Sequence, residues 1–273
     1  MPEPLAMRLS YRSVFLSDLH LGSVGCHTER LSAFLGGLEC ENLYLVGDLL
    51  DFWVGTHTRK WKQAHTDILR RILAMANTGT IVRYTPGNHD ALCRKLCGAV
   101  LGNILVDHRF VHTTADGRRL LVVHGDVYDR IVSVFRPIAW IGSWCYEILT
   151  VMGAWLPAIV GGRLAGKASL ADRARQKVKS AFLYITNFEE RITVDARLQG
   201  YDGVVCGHVH RPELSEHWIG AVYANAGDWQ SHCTAIVEHW DGSLELVRWE
   251  DLVRRSEAPD DAGRWQLQNL NRD

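Results

Sequence analysis

The chain is predicted to fold as an α/β domain around a buried sheet, and three observations predict it. Short β-branched and aromatic runs alternate with stretches of helical period, the grammar of strands joined by helices. Hydrophobic residues make up 47% of 273, enough to bury one large core. Five of the strand-like runs end in Asp, His or Asn, so polar side chains gather where an open α/β sheet presents the carboxyl ends of its strands.

Taken in order, "SVFLSDLH" reads as a strand and loop ending in Asp18 and His20. Leu31, Phe34, Leu35 and Leu38 then recur at helical spacing, and "NLYLVGDLLDFW" supplies a second strand and loop with Asp48. Trp61, Ala64, Ile68, Ile72 and Met75 mark a longer helix. It leads into "TIVRYTPGNHD", a third strand followed by Asn88 and His89. "RRLLVVHGDVYD" repeats the pattern with His124, and "DGVVCGHVHRPEL" repeats it with His208 and His210. From Val222 onward, "VYANAGDW", "CTAIVEHW" and "SLELVRWE" read as closing strands joined by Gly and Asp turns.

Composition narrows the function classes. Thirty basic against thirty-one acidic residues leave a formal charge of -1, so no whole-chain field would hold nucleic acid or an anionic membrane. Seven scattered cysteines suggest reduced thiols in a cytoplasmic setting. Cys93 and Cys97 share a helical spacing and read as small buried residues rather than metal ligands. No apolar stretch of signal-peptide type precedes the first strand, so nothing marks the chain for export.

The polar residues at the strand ends have a shared chemistry. Asp18, His20, Asp48, Asn88, His124, His208 and His210 offer two carboxylates, one amide oxygen and four imidazoles, without a thiolate. That donor set suits Mn²⁺, Fe²⁺ or Zn²⁺ better than Ca²⁺. Seven protein ligands exceed one ion's usual complement, and with one bridging carboxylate they divide between two ions, the arrangement used for in-line displacement at phosphorus.

The motifs "DLH", "GDLLDFW", "GNHD", "HGD" and "GHVH", in that order, resemble the five motifs of the calcineurin-like metallophosphoesterase superfamily. The resemblance implies a four-layer α/β/β/α sandwich of one domain spanning residues 1–273. It implies that Asp18, His20, Asp48 and His210 hold one metal and Asp48, Asn88, His124 and His208 the other, both divalent ions, with manganese expected and Fe or Zn as alternatives. Asn88 and His89 would also meet the phosphoryl group, with His89 as the catalytic transition-state stabiliser or leaving-group acid. Asp90 and Asp126 are expected to hold structure rather than metal.

Longer stretches, including "KVKSAF", "NFEERI" and "NAGDWQSHCTAIVE", are similar to the UDP-2,3-diacylglucosamine hydrolases of lipid A biosynthesis, in the branch bearing GNHD. Such enzymes cleave the pyrophosphate of a lipid-linked UDP-sugar to UMP and a diacylglucosamine 1-phosphate. The well-studied branch carries Arg where this chain has His89, and imidazole can act as an acid where guanidinium only holds a diphosphate. A hydrolase for another nucleotide or phosphodiester is the alternative reading, and a protein-binding scaffold that has lost catalysis is a third, against which the intact ligand set argues.

Between "HGDVYD" and "GHVH" lies a helical insertion, expected over about 130–198. Its first half is rich in Trp and aliphatics. Only fifteen residues, Pro157 among them, separate Glu147 from Arg163, too few for a membrane span of roughly 18 or more. It reads as a packed hairpin or as a lid for acyl chains that touches the cytoplasmic face of the inner membrane as a peripheral surface. Its second half is basic, and by position in the resembling stretch Lys179, Arg163 and Asp129 are expected as substrate contacts.

Overall fold

The central strands are buried in near-continuous runs, and because successive side chains point to opposite faces of a sheet, both faces must be covered, which builds layers. The computed structural model describes residues 8–51, 61–128 and 188–257. Its order is β1 (Leu9–Leu16), α1 (Thr28–Gly37), β2 (Leu38–Val46), α2 (Gln63–Asn77), β3 (Ile81–Thr85), a 3₁₀ turn (Ala91–Leu96), β4 (Val100–Leu101), β5 (Ile104–Val106), β6 (Phe110–Thr113) and β7 (Arg119–Val122). There follow α3 (188–198), β8 (Gly203–Cys206), β9 (Glu213–His217), β10 (Ala221–Asn225), β11 (Thr234–Glu238), β12 (Leu244–Arg248) and α4 (Trp249–Glu257).

The strands form two sheets. A seven-stranded sheet runs β12-β11-β1-β2-β3-β5-β4, and a five-stranded sheet runs β6-β7-β8-β10-β9. Each has a parallel centre and antiparallel edges: β1 pairs with β2 and β2 with β3 in parallel, as β7 does with β8 and β8 with β10. The buried parallel strands are the near-continuous apolar runs that such a position requires.

Side-chain parity assigns the layers. Val14 and Leu16 of β1, with Leu43 and Leu45 of β2, face the helical side, where they meet Leu31, Phe34 and Leu35 of α1 and Ile68, Ile72 and Met75 of α2. Phe15, Tyr44, Val46 and Ile236 face the other way, against Leu120, Val122, Val205 and Ala224 of the second sheet. The far side of that sheet, Leu121, Val204, Cys206 and Tyr223, is covered by Phe188, Ile192 and Ala196, which recur every four residues along one stripe of α3. The result is the α/β/β/α sandwich, each sheet buried on both faces.

Some expectations shift. The polar strand ends do not line one sheet edge: β1, β2 and β3 belong to one sheet and β7 and β8 to the other, so they meet across the seam. Leu38, placed in the first helix by periodicity, begins β2 and pairs with Leu9. Trp61 precedes α2, its indole N–H donating to Thr66 Oγ1 at 2.8 Å. Residues 188–198, at the end of the expected insertion, form the outer helical layer of the core. Cys93 and Cys97 are partly buried against the first core cluster.

Candidate metal centre

Every side chain singled out at a strand end sits on a loop within four residues of that end. Asp18 and His20 follow β1, Asp48 follows β2, Asn88 and His89 follow β3, His124 follows β7, and His208 and His210 follow β8. The loops are zipped pairwise. Asp18 N donates to Gly47 O (3.1 Å) and His20 N to Asp48 O (2.8 Å), while Gly207 N donates to His124 O (3.1 Å).

These loops hold uncommon backbone conformations. Asp18, His20, Asp48, His208 and His210 all have positive φ, from 47 to 71°. Among the described residues the only other non-glycine residue with positive φ is Cys233. Left-handed backbone is costly for a side-chain-bearing residue and persists where surrounding contacts over-determine it, most often at functional sites. The neighbouring glycines are there for space: a Cβ on Gly47 (φ 82°) would lie 2.0 Å from His124 Nδ1, and one on Gly87 would lie 2.1 Å from Asp48 Oδ1.

The side-chain atoms converge. Asp18 Oδ1 lies 3.1 Å from His210 Nε2 and 3.7 Å from His20 Nε2, and those two nitrogens are 3.4 Å apart. Asp48 Oδ2 lies 3.9 Å from His20 Nε2 on one side and 3.4 Å from His124 Nε2 on the other, so a single carboxylate oxygen faces both halves of the cluster. His124 Nε2 is also 3.3 Å from Asn88 Oδ1, and the His124 and His208 rings are 5.1 Å apart. Asp18, His20 and His210, and Asp18, Asp48 and His124, form groups whose ligand atoms could each embrace one cation.

The donors fit a metal. Asp18 Oδ1 is buried without a hydrogen bond despite its imidazole neighbours, which is where a cation satisfies an oxygen lone pair. His124 Nδ1 faces Val46 O at 3.0 Å; donating there leaves the Nε2 lone pair directed into the cluster. Asp18 Oδ2 accepts from Ser17 Oγ and from His208 N (2.9 Å), so the carboxylate joins the two sheets.

Charge accumulates accordingly. Burial alone would raise both carboxyls, but the imidazoles of His20 and His210 hold Asp18 well below the usual carboxylate range, and His124 lowers Asp48. Burial opposes charging of His124, yet Asp48 and Asp18 push it up to about 10. His210 is likewise opposed by burial and raised by Asp18, so the carboxylates draw protons onto His124 and His210, a role that a divalent cation takes over with proton release.

His89 stands at the rim. Its backbone N–H donates to Asp48 Oδ1 (2.8 Å), its ring meets His20 edge-on with centroids 4.5 Å apart, and its Nδ1 is 3.3 Å from Asp51 Oδ1. Asp51 was not singled out in the sequence, although "GDLLD" puts it one short turn beyond Asp48. Asp90 bonds the adjoining backbone, as a structural rather than a metal-binding residue. Its Oδ1 accepts from Gly87 N (2.6 Å), and its Oδ2 from Leu49 N (2.8 Å) and the Tyr84 hydroxyl (2.5 Å), tying the β3 loop to the β2 loop. Asp126 is paired with Arg94 at 2.8 Å.

A sixth strand also contributes. Asn225, at the end of β10, donates to Gly207 O (2.9 Å), and Asp228 in the following loop carries a carboxylate beside His210. Nothing in "NAGDW" alone separates these residues from ordinary turn formers. Asp129, Arg163 and Lys179 lie outside the described residues, as does the apolar half of the insertion. No helix of the described residues is long and apolar enough to cross a membrane.

Residues 11–212 match the family model described as calcineurin-like phosphoesterase. The chain is similar to a UDP-2,3-diacylglucosamine hydrolase of Neisseria gonorrhoeae, at 29% identity over 85% of this chain and 94% of that one. It is also similar to the protein of that name from Aromatoleum aromaticum, at 28% identity over 87% and 93%. Among solved structures, a phosphoesterase of E. coli, Yfce, is similar at 16% identity with a TM-score of 0.40, covering 86% of this chain and 97% of that one.

Proposed function

Because this chain belongs to the calcineurin-like phosphoesterase family, we propose that it is a two-metal pyrophosphatase that hydrolyses UDP-2,3-diacylglucosamine to UMP and 2,3-diacylglucosamine 1-phosphate. The observation that carries the two-metal reading is Asp48 Oδ2, which faces His20 on one side and His124 on the other. We assign Asp18, His20, Asp48 and His210 to one ion and Asp48, Asn88, His124 and His208 to the other. Manganese is the assigned metal; the oxygen and imidazole donors also suit iron or zinc. The substrate assignment rests on the relatives named UDP-2,3-diacylglucosamine hydrolase, which align over more than four-fifths of this chain.

Bound at this cluster, paired divalent ions supply an activated water and charge neutralisation for in-line attack at phosphorus. The protein's own residues do the rest. Asn88 and His89 lie on one short loop whose backbone is fastened to Asp48 and, through Asp90, to the β2 loop, so the phosphoryl-facing groups keep a fixed distance from the bridging carboxylate. Asp51 orients His89 through Nδ1, and His89 holds a proton for the departing phosphate oxygen. Asp129, Arg163 and Lys179 are assigned to the substrate on sequence resemblance, and the acyl chains to the apolar insertion at the inner face of the membrane.

The test is phosphorus NMR of the full-length, Mn²⁺-loaded protein with UDP-2,3-diacylglucosamine in ¹⁸O-water, a plain nucleotide diester run in parallel. Label in the released UMP is the expected result and places attack at the α-phosphorus. Cleavage of the diester with no UMP release would retain the metal centre and overturn the lipid substrate.

A further inference from the structure

A metal-facing imidazole is oriented when its second ring nitrogen is held, because that contact fixes both the tautomer and the direction of the ligating lone pair; His20 Nδ1 has no such hydrogen bond among the described residues. His124 has Val46 O for this purpose. For His210 the neighbour is Asp228, whose Oδ2 lies 3.9 Å from His210 Nδ1. Asp228 is wholly buried and unusually well fixed. Its Oδ1 accepts from Gln230 N (2.7 Å) and Ser231 N (2.5 Å), and its Oδ2 meets His232 Nδ1 at 2.5 Å. The same loop is fastened to the first sheet, since Trp229 N donates to Asp18 O at 3.2 Å and Trp229 O accepts from His27 N at 2.9 Å.

We infer that Asp228 is a positioning residue for the metal centre: its buried carboxylate, which approaches His210 Nδ1 at 3.9 Å as a charge neighbour rather than a hydrogen-bond partner, favours the proton on Nδ1 and so leaves Nε2 directed at Asp18 Oδ1. The inference rests on the assignment of His210 as a ligand. It makes the loop after β10 a sixth contributor to the site and predicts that one metal position depends on it and the other does not.

The geometry gives a graded test. In Asp228→Asn the amide oxygen takes over the backbone N–H groups at Oδ1, so the NH₂ falls where Oδ2 was and presents a donor to His210 Nδ1. That favours the tautomer with hydrogen on Nε2, which cannot ligate. Asp228→Ser keeps an oxygen for the turn and presents nothing to His210. Titration of the full-length protein with Mn²⁺ alone, followed by calorimetry and by the EPR signal of free Mn²⁺, should show two sites in the parent chain. Asp228→Asn should weaken one of them by about 10–100-fold and spare the other, with Asp228→Ser in between and His232→Gln close to the parent. Nitrogen-15 NMR of the histidines should show His210 changing tautomer in Asp228→Asn. Two undisturbed sites in Asp228→Asn would overturn the inference. So would equal weakening of both sites, or the same loss in His232→Gln, since the fold of the loop would then carry the effect. A parent chain that binds no Mn²⁺ would instead sink the metal assignment itself.

Discussion

Asp48 and His89 are one hydrogen bond apart, and their loss should read differently. Asp48 Oδ2 is the atom shared between the two halves of the cluster, so Asp48→Ala should abolish turnover and lower the content of both metals. His89 meets Asp48 through its backbone N–H, and its ring lies beside Asp51 and edge-on to His20. His89→Ala should therefore lower kcat by about 10²–10⁴-fold, the usual worth of a positioned acid, with metal content near that of the parent. Metal analysis beside kinetics separates the two, and metal loss in His89→Ala would make His89 a ligand. At this scale the sequence was informative because Asp, Asn and His recur just after strand-like runs, although the strands belong to two sheets rather than one. Asp51 and Asp228 were not legible: each acts through another side chain, and that partner is set by loop geometry rather than by spacing.

At the scale of elements, the decisive features are the turns after the strands. Gly87 precedes Asn88, and a methyl group there would lie 2.1 Å from Asp48 Oδ1 and 2.7 Å from Asp48 N, against backbone that cannot yield. Gly87→Ala should displace the β3 loop, lowering Mn²⁺ affinity and activity together by at least tenfold. Far-ultraviolet circular dichroism of the variant should stay near that of the parent, since the strands themselves are untouched; unimpaired metal binding would contradict the crowding argument. The strands that periodicity revealed are the long buried ones, such as β1 and β2. The short pieces β4, β5, β6 and β9 span two to five residues, too few for alternation to register. Leu38 was misplaced for a related reason: a buried leucine satisfies a helical stripe or the first position of a strand equally well.

For the whole molecule, the joint between the sheets is partly ionic. Glu238 of β11 is fully buried, its Oε1 meeting Arg12 Nη1 at 2.6 Å and Ala115 N at 2.8 Å, and its Oε2 meeting Ser13 Oγ at 2.5 Å and His112 Nε2 at 2.8 Å. Arg12 and Ser13 lie on β1 and His112 on β6, so the network ties the seven-stranded sheet to the five-stranded one. Burial would raise the carboxyl, but His112, Ser13 and the Ala115 amide together hold it down at about 2, against an ordinary value of 4.5. The stabilisation is full above the ordinary value and is lost as pH falls through the depressed one. A displacement of that size corresponds to about 3 kcal/mol. Urea unfolding of Glu238→Gln should show a loss of that order at neutral pH and a flatter dependence on pH between the two values. A variant as stable and as acid-sensitive as the parent would show that the network contributes nothing to the joint.

The sequence alone showed the family and the donor set. Five strand ends bearing Asp, Asn and His, in a fixed order and without thiolates, carry the family's motifs and offer the donors a divalent metal would use wherever the strands lie, because ligand type and strand polarity are local properties. Only the tertiary structure decided that the five ends come from two sheets, with the Asp18 carboxylate accepting from His208 N across the seam. It also decided that residues 188–198 close the core as its fourth layer and that Asp51 and Asp228 stand behind His89 and His210. The physical reason is common to all three. Which sheet a strand joins, and which carboxylate faces an imidazole's second nitrogen, depend on packing between segments more than 30 residues apart or on the exact turn of a loop, and no period along the chain records either.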